Sequence, residues 1–437
     1  MSSIANIRWL PYFVLFYVLA ITSELAAAQT GYSSIAAGED HACVIQNLLV
    51  NDKQSQKVLC WGHNDFGQLG SKTGDANYVN TTPTAVVGLS GTVKQLAAGE
   101  GFTCALISDG TVQCWGGDLY GNLGLNYWNI PSAQTWPSYG NTPVPQTIGI
   151  PNAGGGYGPV VQISAGGSFA CAMTSGSDNT PASVFCWGDN RNYELGTTGF
   201  EYSVFPVSIN LPWAAGSIAT GVDFACASGG IFNNLQDANV YCWGNDAHGE
   251  LGDGATTLQG NHAAPSIVVG LPRVAIVGVT ATAEGACALD DTGTGWCWGD
   301  DSAGEVGNGI VYPNLATDTP VQVPASSPFR AMWGGSNSWE NCGTSSAGLY
   351  CTVGYGQVIA RNTYFDPSMW RTQFAATPTA VSSGGAFTCA ISAVTNKLRN
   401  GTTTTAQHVF CWGNDDYGQI GNGGTYGVGT SIPQLIL

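Results

Sequence analysis

Apolar positions in this sequence come in short runs, broken every few residues by glycine, asparagine or aspartate, and the runs repeat. Val58-Leu59-Cys60-Trp61-Gly62-His63-Asn64-Asp65-Phe66-Gly67-Gln68-Leu69-Gly70 shows the unit: a segment suited to a strand, then a tight turn closed by glycines. Trp61, Trp115, Trp187, Trp243, Trp298 and Trp412 each stand between a cysteine and a glycine. A weaker copy, Tyr350-Cys351-Thr352-Val353-Gly354-Tyr355-Gly356-Gln357-Val358, lies before the last of them, which makes seven units at a mean spacing of 58.5 residues. A period of that length marks one repeat architecture rather than several ordinary domains.

Each unit carries a second cysteine upstream of the first. Cys43, Cys104, Cys171, Cys226, Cys287, Cys342 and Cys389 precede Cys60, Cys114, Cys186, Cys242, Cys297, Cys351 and Cys411, which accounts for all 14 cysteines. In the second unit, Cys104-Ala105-Leu106-Ile107 and Thr111-Val112-Gln113-Cys114 flank the three residues Ser108-Asp109-Gly110. An antiparallel hairpin with that loop sets its two cysteines directly opposite each other, with Gly110 in the left-handed position. Opposed residues are about 4.5 to 5.5 Å apart at Cα, close enough for a disulfide. One bridge per unit is the expectation; the pair Cys342 and Cys351 has different parity and fits the scheme less well. No Cys-x-x-Cys pair occurs, so a zinc site built on cysteine is not expected.

Pro83, Pro143, Pro206, Pro265, Pro320, Pro378 and Pro433 are taken to open a further strand in each unit. Four strands repeated seven times predict an all-β, seven-bladed β-propeller of four-stranded blades. Ser33-Ser34-Ile35-Ala36-Ala37-Gly38 at one end and Ser431 to Leu437 at the other look like two parts of one unit, so the ring is expected to close by N- and C-terminal strands sharing a blade.

The repeat resembles that of the regulator of chromosome condensation family over about residues 31 to 437. The matching residues are Gly38 and Gly99 before the hairpins, Trp61 and its equivalents, and the turn Gly67-Gln68-Leu69-Gly70. The resemblance implies a seven-bladed propeller and a role in binding, since similar propellers serve as nuclear nucleotide-exchange factors, plant receptor ectodomains and a secreted inhibitor of β-lactamase. All the matches fall on scaffold positions, so no functional loop residue of the family carries over. Two departures are the paired cysteines, typical of secreted relatives, and Thr352 where other units have tryptophan.

Charge and the amino terminus narrow the setting. Twelve Lys+Arg against 29 Asp+Glu give a net charge of −17, which repels nucleic-acid phosphates and anionic lipid. Arg8, the apolar run Trp9 to Ile21 and the small residues Ala26-Ala27-Ala28 read as a secretory signal over 1–28, ahead of a single propeller domain over 29–437. The apolar run is too short to span a bilayer comfortably. Local disulfides agree with an extracellular or cell-surface location. Asn80-Thr81-Thr82 and Asn400-Gly401-Thr402 are glycosylation sequons, both expected in loops.

Candidate chemistry is sparse. No nucleophile elbow, zinc-protease helix, Walker loop or dinucleotide fingerprint is present, so neither catalysis nor a cofactor is expected. His41 occupies the place held by Phe102, Phe169, Phe224 and Phe387 in other units, which marks a packing slot. Asp189, Asp246, Asp300-Asp301 and Asp415-Asp416 recur after Cys-Trp-Gly and are read as turn-stabilising residues rather than calcium ligands. Glu340, next to Trp339, has no evident acid/base mate. Two aromatic excursions break the repeat: Tyr127, Trp128, Trp136 and Tyr139 in the second unit, and Trp333, Trp339 and Trp370 in the sixth. Aromatic side chains with few charges around them suit a protein interface or a sugar-stacking platform. The expected partner is therefore an extracellular protein, with a glycan or cell-wall polymer as the alternative. A hydrolase would instead require two carboxylates facing each other across a pocket.

Overall fold

A computed structural model of the chain describes residues 29–437, apart from 51–52, 72–77, 126–140, 151–158, 177–180, 230–238, 256–259, 303, 309–315, 326, 353–375, 398–401 and 428. The described residues contain strands and turns and no helix. The first blade is β1 (Gln29–Ala37), β2 (His41–Val50), β3 (Lys53–His63) and β4 (Val79–Ala85). The second runs from β5 to β8 (Val93–Ala98, Phe102–Ile107, Val112–Gly116, Thr142–Ile148) and the third from β9 to β12 (Val160–Ala165, Phe169–Thr174, Val184–Asp189, Tyr202–Ser208). The fourth is β13 to β16 (Ala215–Thr220, Phe224–Gly229, Val240–Gly244, His262–Ile267) and the fifth β17 to β20 (Ile276–Ala281, Gly285–Asp290, Gly295–Asp300, Ala316–Gln322). The sixth contributes β21 (Phe329–Trp333), β22 (Cys342–Ser345) and β23 (Gly348–Cys351), and the seventh β24 to β27 (Ala380–Ser383, Phe387–Lys397, Thr403–Gly413, Thr430–Leu435). Every sheet is an antiparallel meander in chain order, six with four strands and the sixth with three among the described residues.

The cysteine register explains the hairpins. Cys43 faces Cys60 and Cys104 faces Cys114, and the same opposition holds in the other five blades. All seven pairs are disulfides with Cα atoms 4.0 to 4.1 Å apart. The pair that seemed ill-matched fits as well as the others: a two-residue loop joins Ser345 to Gly348, and that change of loop length restores the opposition of Cys342 and Cys351.

The Cys-Trp-Gly signature is a bulge and a seam. Pairing of β3 with β4 shifts register between Cys60 and Gly62, and Gly62 takes φ of 102°, a left-handed angle that favours glycine. The kink turns Trp61 into the gap between blades, where it is fully buried. Trp115 donates its indole N–H to the Gln68 carbonyl of the preceding blade at 2.8 Å, and Trp187, Trp243 and Trp298 do the same to Asn122, Glu194 and Glu250. The tryptophan and the Gly-Gln-Leu-Gly turn are thus two halves of one inter-blade joint.

Ring closure differs from the sequence expectation. β1 belongs wholly to the first blade and β27 wholly to the seventh, so no blade is shared. The repeat period fixes spacing but not the phase at which a unit starts, and Ser33 to Gly38 is the inner strand of a complete blade. The seam is closed as the four between the first five blades are: Trp61 donates to the Gln419 carbonyl at 2.9 Å, and Ala42 and Trp61 share a core with Phe387 and Ile420. The prolines also sit differently. Pro83, Pro143, Pro206, Pro265, Pro320 and Pro433 lie inside the outermost strands, which begin before them. An edge strand tolerates the missing N–H. Pro378 precedes β24, the inner strand of the seventh blade.

Candidate functional site

The innermost strands β1, β5, β9, β13, β17, β21 and β24 surround a central channel of about 230 Å³. Small residues such as Ala36, Ala97 and Ala165 let the strands converge, and amides stitch them together. Gln95 accepts from the Ile163 N–H at 3.0 Å and donates to the Ile163 carbonyl at 2.8 Å; Gln162 repeats this with Ile218. A glycine ahead of the hairpin permits the close approach in the first four blades and the seventh: a Cβ on Gly38 would lie 2.3 Å from the Gly99 carbonyl oxygen, and one on Gly384 would lie 2.2 Å from that of Gly38.

At one end of this channel the loops between first and second strands form a mouth. Glu39, Glu100, Asp223 and Glu284, from the first, second, fourth and fifth blades, line a cavity of about 310 Å³ together with Asn337 and Trp339 of the sixth. Burial pushes the Glu39 carboxyl up to about 7, helped by the charges of Glu100 and Asp40. Burial likewise lifts Asp223 to about 6, with Asp189 adding to the rise, and raises Glu284. His248 bridges into the cluster, with Nδ1 3.4 Å from Glu250 and 3.3 Å from Glu284, and the Arg191 charge also acts on Asp223. Its partners raise His248 to about 9 against the opposing effect of burial, the adjoining Glu250 carboxylate contributing most. The mouth is a set of partly desolvated carboxylates with an indole in its wall, an environment that favours a cation.

The aromatic candidates separate. Trp333 ends β21 and lines the channel, and Trp339 lines the mouth. Tyr127, Trp128, Trp136, Tyr139 and Trp370 lie outside the described residues, as does Asn400. Asn80 is in β4 rather than in a loop, with its amide donating to the Thr84 hydroxyl and its oxygen accepting from the Thr82 N–H at 3.2 Å. The turn acids mostly cap backbone: Asp246, Asp301 and Asp415 accept from the N–H five residues on, as do Asn64, Asp118 and Asn190. Asp189 pairs instead with Arg191, 3.0 Å from its Nε.

His41 is in the packing slot, fully buried, and burial holds it down at about 3. Its Nε2 is 2.9 Å from the Thr103 hydroxyl of the next blade. Glu340 occupies the same slot in the sixth blade, where its Oε2 accepts from the Thr388 hydroxyl at 2.8 Å, a hydrogen-bond partner rather than an acid/base mate. The mouth carboxylates themselves went unnoticed in the sequence because each is one residue in a different unit. The signal that finds them is the alignment of positions just ahead of the slot: Glu39 before His41, Glu100 before Phe102, Asp223 before Phe224, Glu284 before Gly285.

Comparison with known proteins accounts for the scaffold. The model for the regulator of chromosome condensation (RCC1) repeat matches residues 56–106, and a second model of the same repeat matches 93–122 and 160–194. Over these residues the chain carries the regulator of chromosome condensation repeat. The chain is 28% identical over 272 residues to the RCC1 domain-containing protein RUG3, mitochondrial, of Arabidopsis thaliana, covering 61% of this chain and 54% of the relative. It is 25% identical over 393 residues to the E3 ubiquitin-protein ligase HERC2 of Homo sapiens, covering 89% of this chain and 7% of that one. The chain therefore spans about half the length of the first relative and a small part of the second. Among solved structures, Prp20p of Saccharomyces cerevisiae aligns with a TM-score of 0.65 at 20% identity, covering 87% of this chain and 86% of Prp20p. Human WBSCR16 aligns with a TM-score of 0.55 at 16% identity, covering 93% of this chain and 82% of that one. These two show the shared fold.

Proposed function

We propose that this chain is a non-enzymatic binding propeller of an oxidising, extracellular setting, and that it holds a basic segment of a partner protein at the acidic mouth of its channel. The observation that carries this reading is the mouth itself: Glu39, Glu100, Asp223 and Glu284 converge from four blades on one cavity walled by Trp339. Scaffold positions repeat around the ring, whereas these loop positions differ from blade to blade, as binding positions on a rigid frame do. Lysine and arginine side chains match both the carboxylates and the indole face. Family relatives support protein binding as a class of role: Prp20p is described with binding properties to Gsp1p and histones. Seven disulfides and the amino-terminal sequence 1–28 support the location.

The test is crosslinking of the tagged full chain in its own extracellular setting, beside a variant carrying Glu100→Gln, Asp223→Asn and Glu284→Gln. The reading expects a protein recovered with the wild type, lost with the variant, and crosslinked through a lysine-rich segment. Recovery of the same partner by the variant would overturn it.

A second reading rests on one observation at the same place. Glu39, held near 7, beside Glu100 has the character of an acid and base pair, and an indole is a common sugar platform. Release of reducing sugar from cell-wall polysaccharide, abolished by Glu39→Gln, would establish it in place of the binding role.

A further inference from the structure

The fourth blade departs from its neighbours at a second place, beginning one residue beyond Asn245 of the mouth. Asp246 follows β15, Asp253 follows the Gly249-Glu250-Leu251-Gly252 turn, and His262 opens β16. One ligand atom of each lies within 4.8 Å of the others. His262 Nδ1 is 3.3 Å from an Asp253 oxygen and 2.8 Å from the Ser266 hydroxyl. We propose that Asp246, Asp253 and His262 form a divalent-cation site whose donor set suits zinc.

The repeat supplies its own controls. In the fifth blade Asp301 caps the Val306 N–H with one carboxylate oxygen at 3.2 Å, and the other oxygen accepts from the Asn308 amide at 3.2 Å. In the third blade Asn190 stands at that position and donates its own amide to the Thr197 carbonyl at 3.1 Å. Both neighbours thus satisfy the buried group with a neutral partner seven residues on. In the fourth blade the residue seven on is Asp253, a second carboxylate.

Asp246 is 3% exposed, and beyond the oxygen that caps the Leu251 N–H at 3.1 Å its carboxylate accepts no hydrogen bond among the described residues. A buried, half-satisfied carboxylate facing another is unfavourable unless a positive charge lies between them. The desolvation shows in Asp246, which burial raises to about 6 with help from Asp253. His262 supplies an imidazole nitrogen on the remaining side.

Two carboxylate oxygens and one imidazole nitrogen, with Ser266 Oγ adjoining a fourth position, match the tetrahedral N/O preference of zinc. Calcium needs six to eight oxygens and is a poorer match to this set.

The experiment is equilibrium dialysis of the full chain, stripped with EDTA, against zinc chloride, with thermal melts of each variant in EDTA. One zinc per chain is expected, with affinity falling at least tenfold in Asp253→Asn and in His262→Gln and unchanged in His63→Gln, which alters the half-buried His63 and its exposed partner Asp65 in the first blade. In EDTA, Asp253→Asn is expected to melt no lower than wild type, because it relieves a like-charge contact. Zinc affinity indifferent to Asp253→Asn and His262→Gln would overturn the site. So would a fall in the melting temperature of Asp253→Asn in EDTA with no zinc bound by wild type, the signature of a purely structural ion pair.

Discussion

At the scale of single residues, the packing slot is read in matched pairs across the seams. Phe102, Phe169, Phe224 and Phe387 share their cores with Ala170, Ala225, Ala286 and Ala42 of the following blade. Where the slot is polar, the following blade offers a hydroxyl: His41 meets Thr103 and Glu340 meets Thr388. The fifth blade reverses the arrangement, with Gly285 in the slot and Thr282 at the glycine position, its hydroxyl donating to the Gly285 carbonyl at 3.1 Å. A polar slot works only with its partner, since an unpaired buried hydroxyl or imidazole costs about 1–3 kcal/mol. His41→Phe combined with Thr103→Ala should therefore restore the arrangement used at four other seams. In a double-mutant cycle read by denaturant melts, the pair is expected to be less destabilising than the sum of the single changes by about 0.5–3 kcal/mol; simple additivity would show the slots to be independent. His41 was legible in the sequence as a packing residue because phenylalanine fills its place elsewhere. Its partner was not, because Thr103 lies 62 residues away and only the closed ring brings the two together.

At the scale of the element, the blade was legible and the closure was not. Cysteine spacing makes the hairpin register of the second blade legible in the sequence, since opposed cysteines leave room for only one pairing of β6 with β7, whereas the sixth blade needs its shorter loop to be seen. The phase of the repeat left no comparable mark, and a chain that starts on an inner strand and stops on an outer one looks like a blade cut in two. The consequence is a ring whose last seam is built like the four between the first five blades, from an indole donor and a carbonyl. Trp61→Phe at the closing seam and Trp115→Phe at the first internal seam should then destabilise to the same degree, about 1–3 kcal/mol each, because both leave a buried carbonyl unpaired. Equal shifts in denaturant midpoint are expected. A Trp61→Phe loss several times the Trp115→Phe loss would show the closing seam to be a special latch.

At the scale of the whole molecule, acidity shapes both stability and recognition. Glu340 is raised by burial from 4.5 to about 7 and Glu194 to about 8. Between the ordinary carboxyl value and these raised ones, the folded chain keeps protons that the unfolded chain has released. Stability from these groups is therefore present at low pH and lost as pH rises through that window. His41, held at about 3, acts oppositely, since the unfolded imidazole gains a proton below its ordinary value of 6.5. Melting temperature is expected to be higher near pH 5 than at pH 8, and Glu194→Gln with Glu340→Gln should flatten the decline. A wild-type melting temperature that climbs from pH 5 to pH 8 would contradict those protonation states. The same surplus of carboxylates, gathered at the mouth by four separate blades, is the part of the site that no local stretch of sequence displays.

Binding of a fluorescent lysine-rich peptide, measured by anisotropy at physiological salt, tests the acidic mouth most directly. The full chain would be compared with the mouth variant Glu100→Gln, Asp223→Asn, Glu284→Gln and with a charge-matched control, Asp109→Asn, Glu201→Gln, Asp291→Asn, altered at exposed sites. The account predicts at least a tenfold loss of affinity in the mouth variant and less than threefold in the control. Equal losses in the two would mean that the overall negative charge, and not the mouth, attracts the peptide, and would contradict the account.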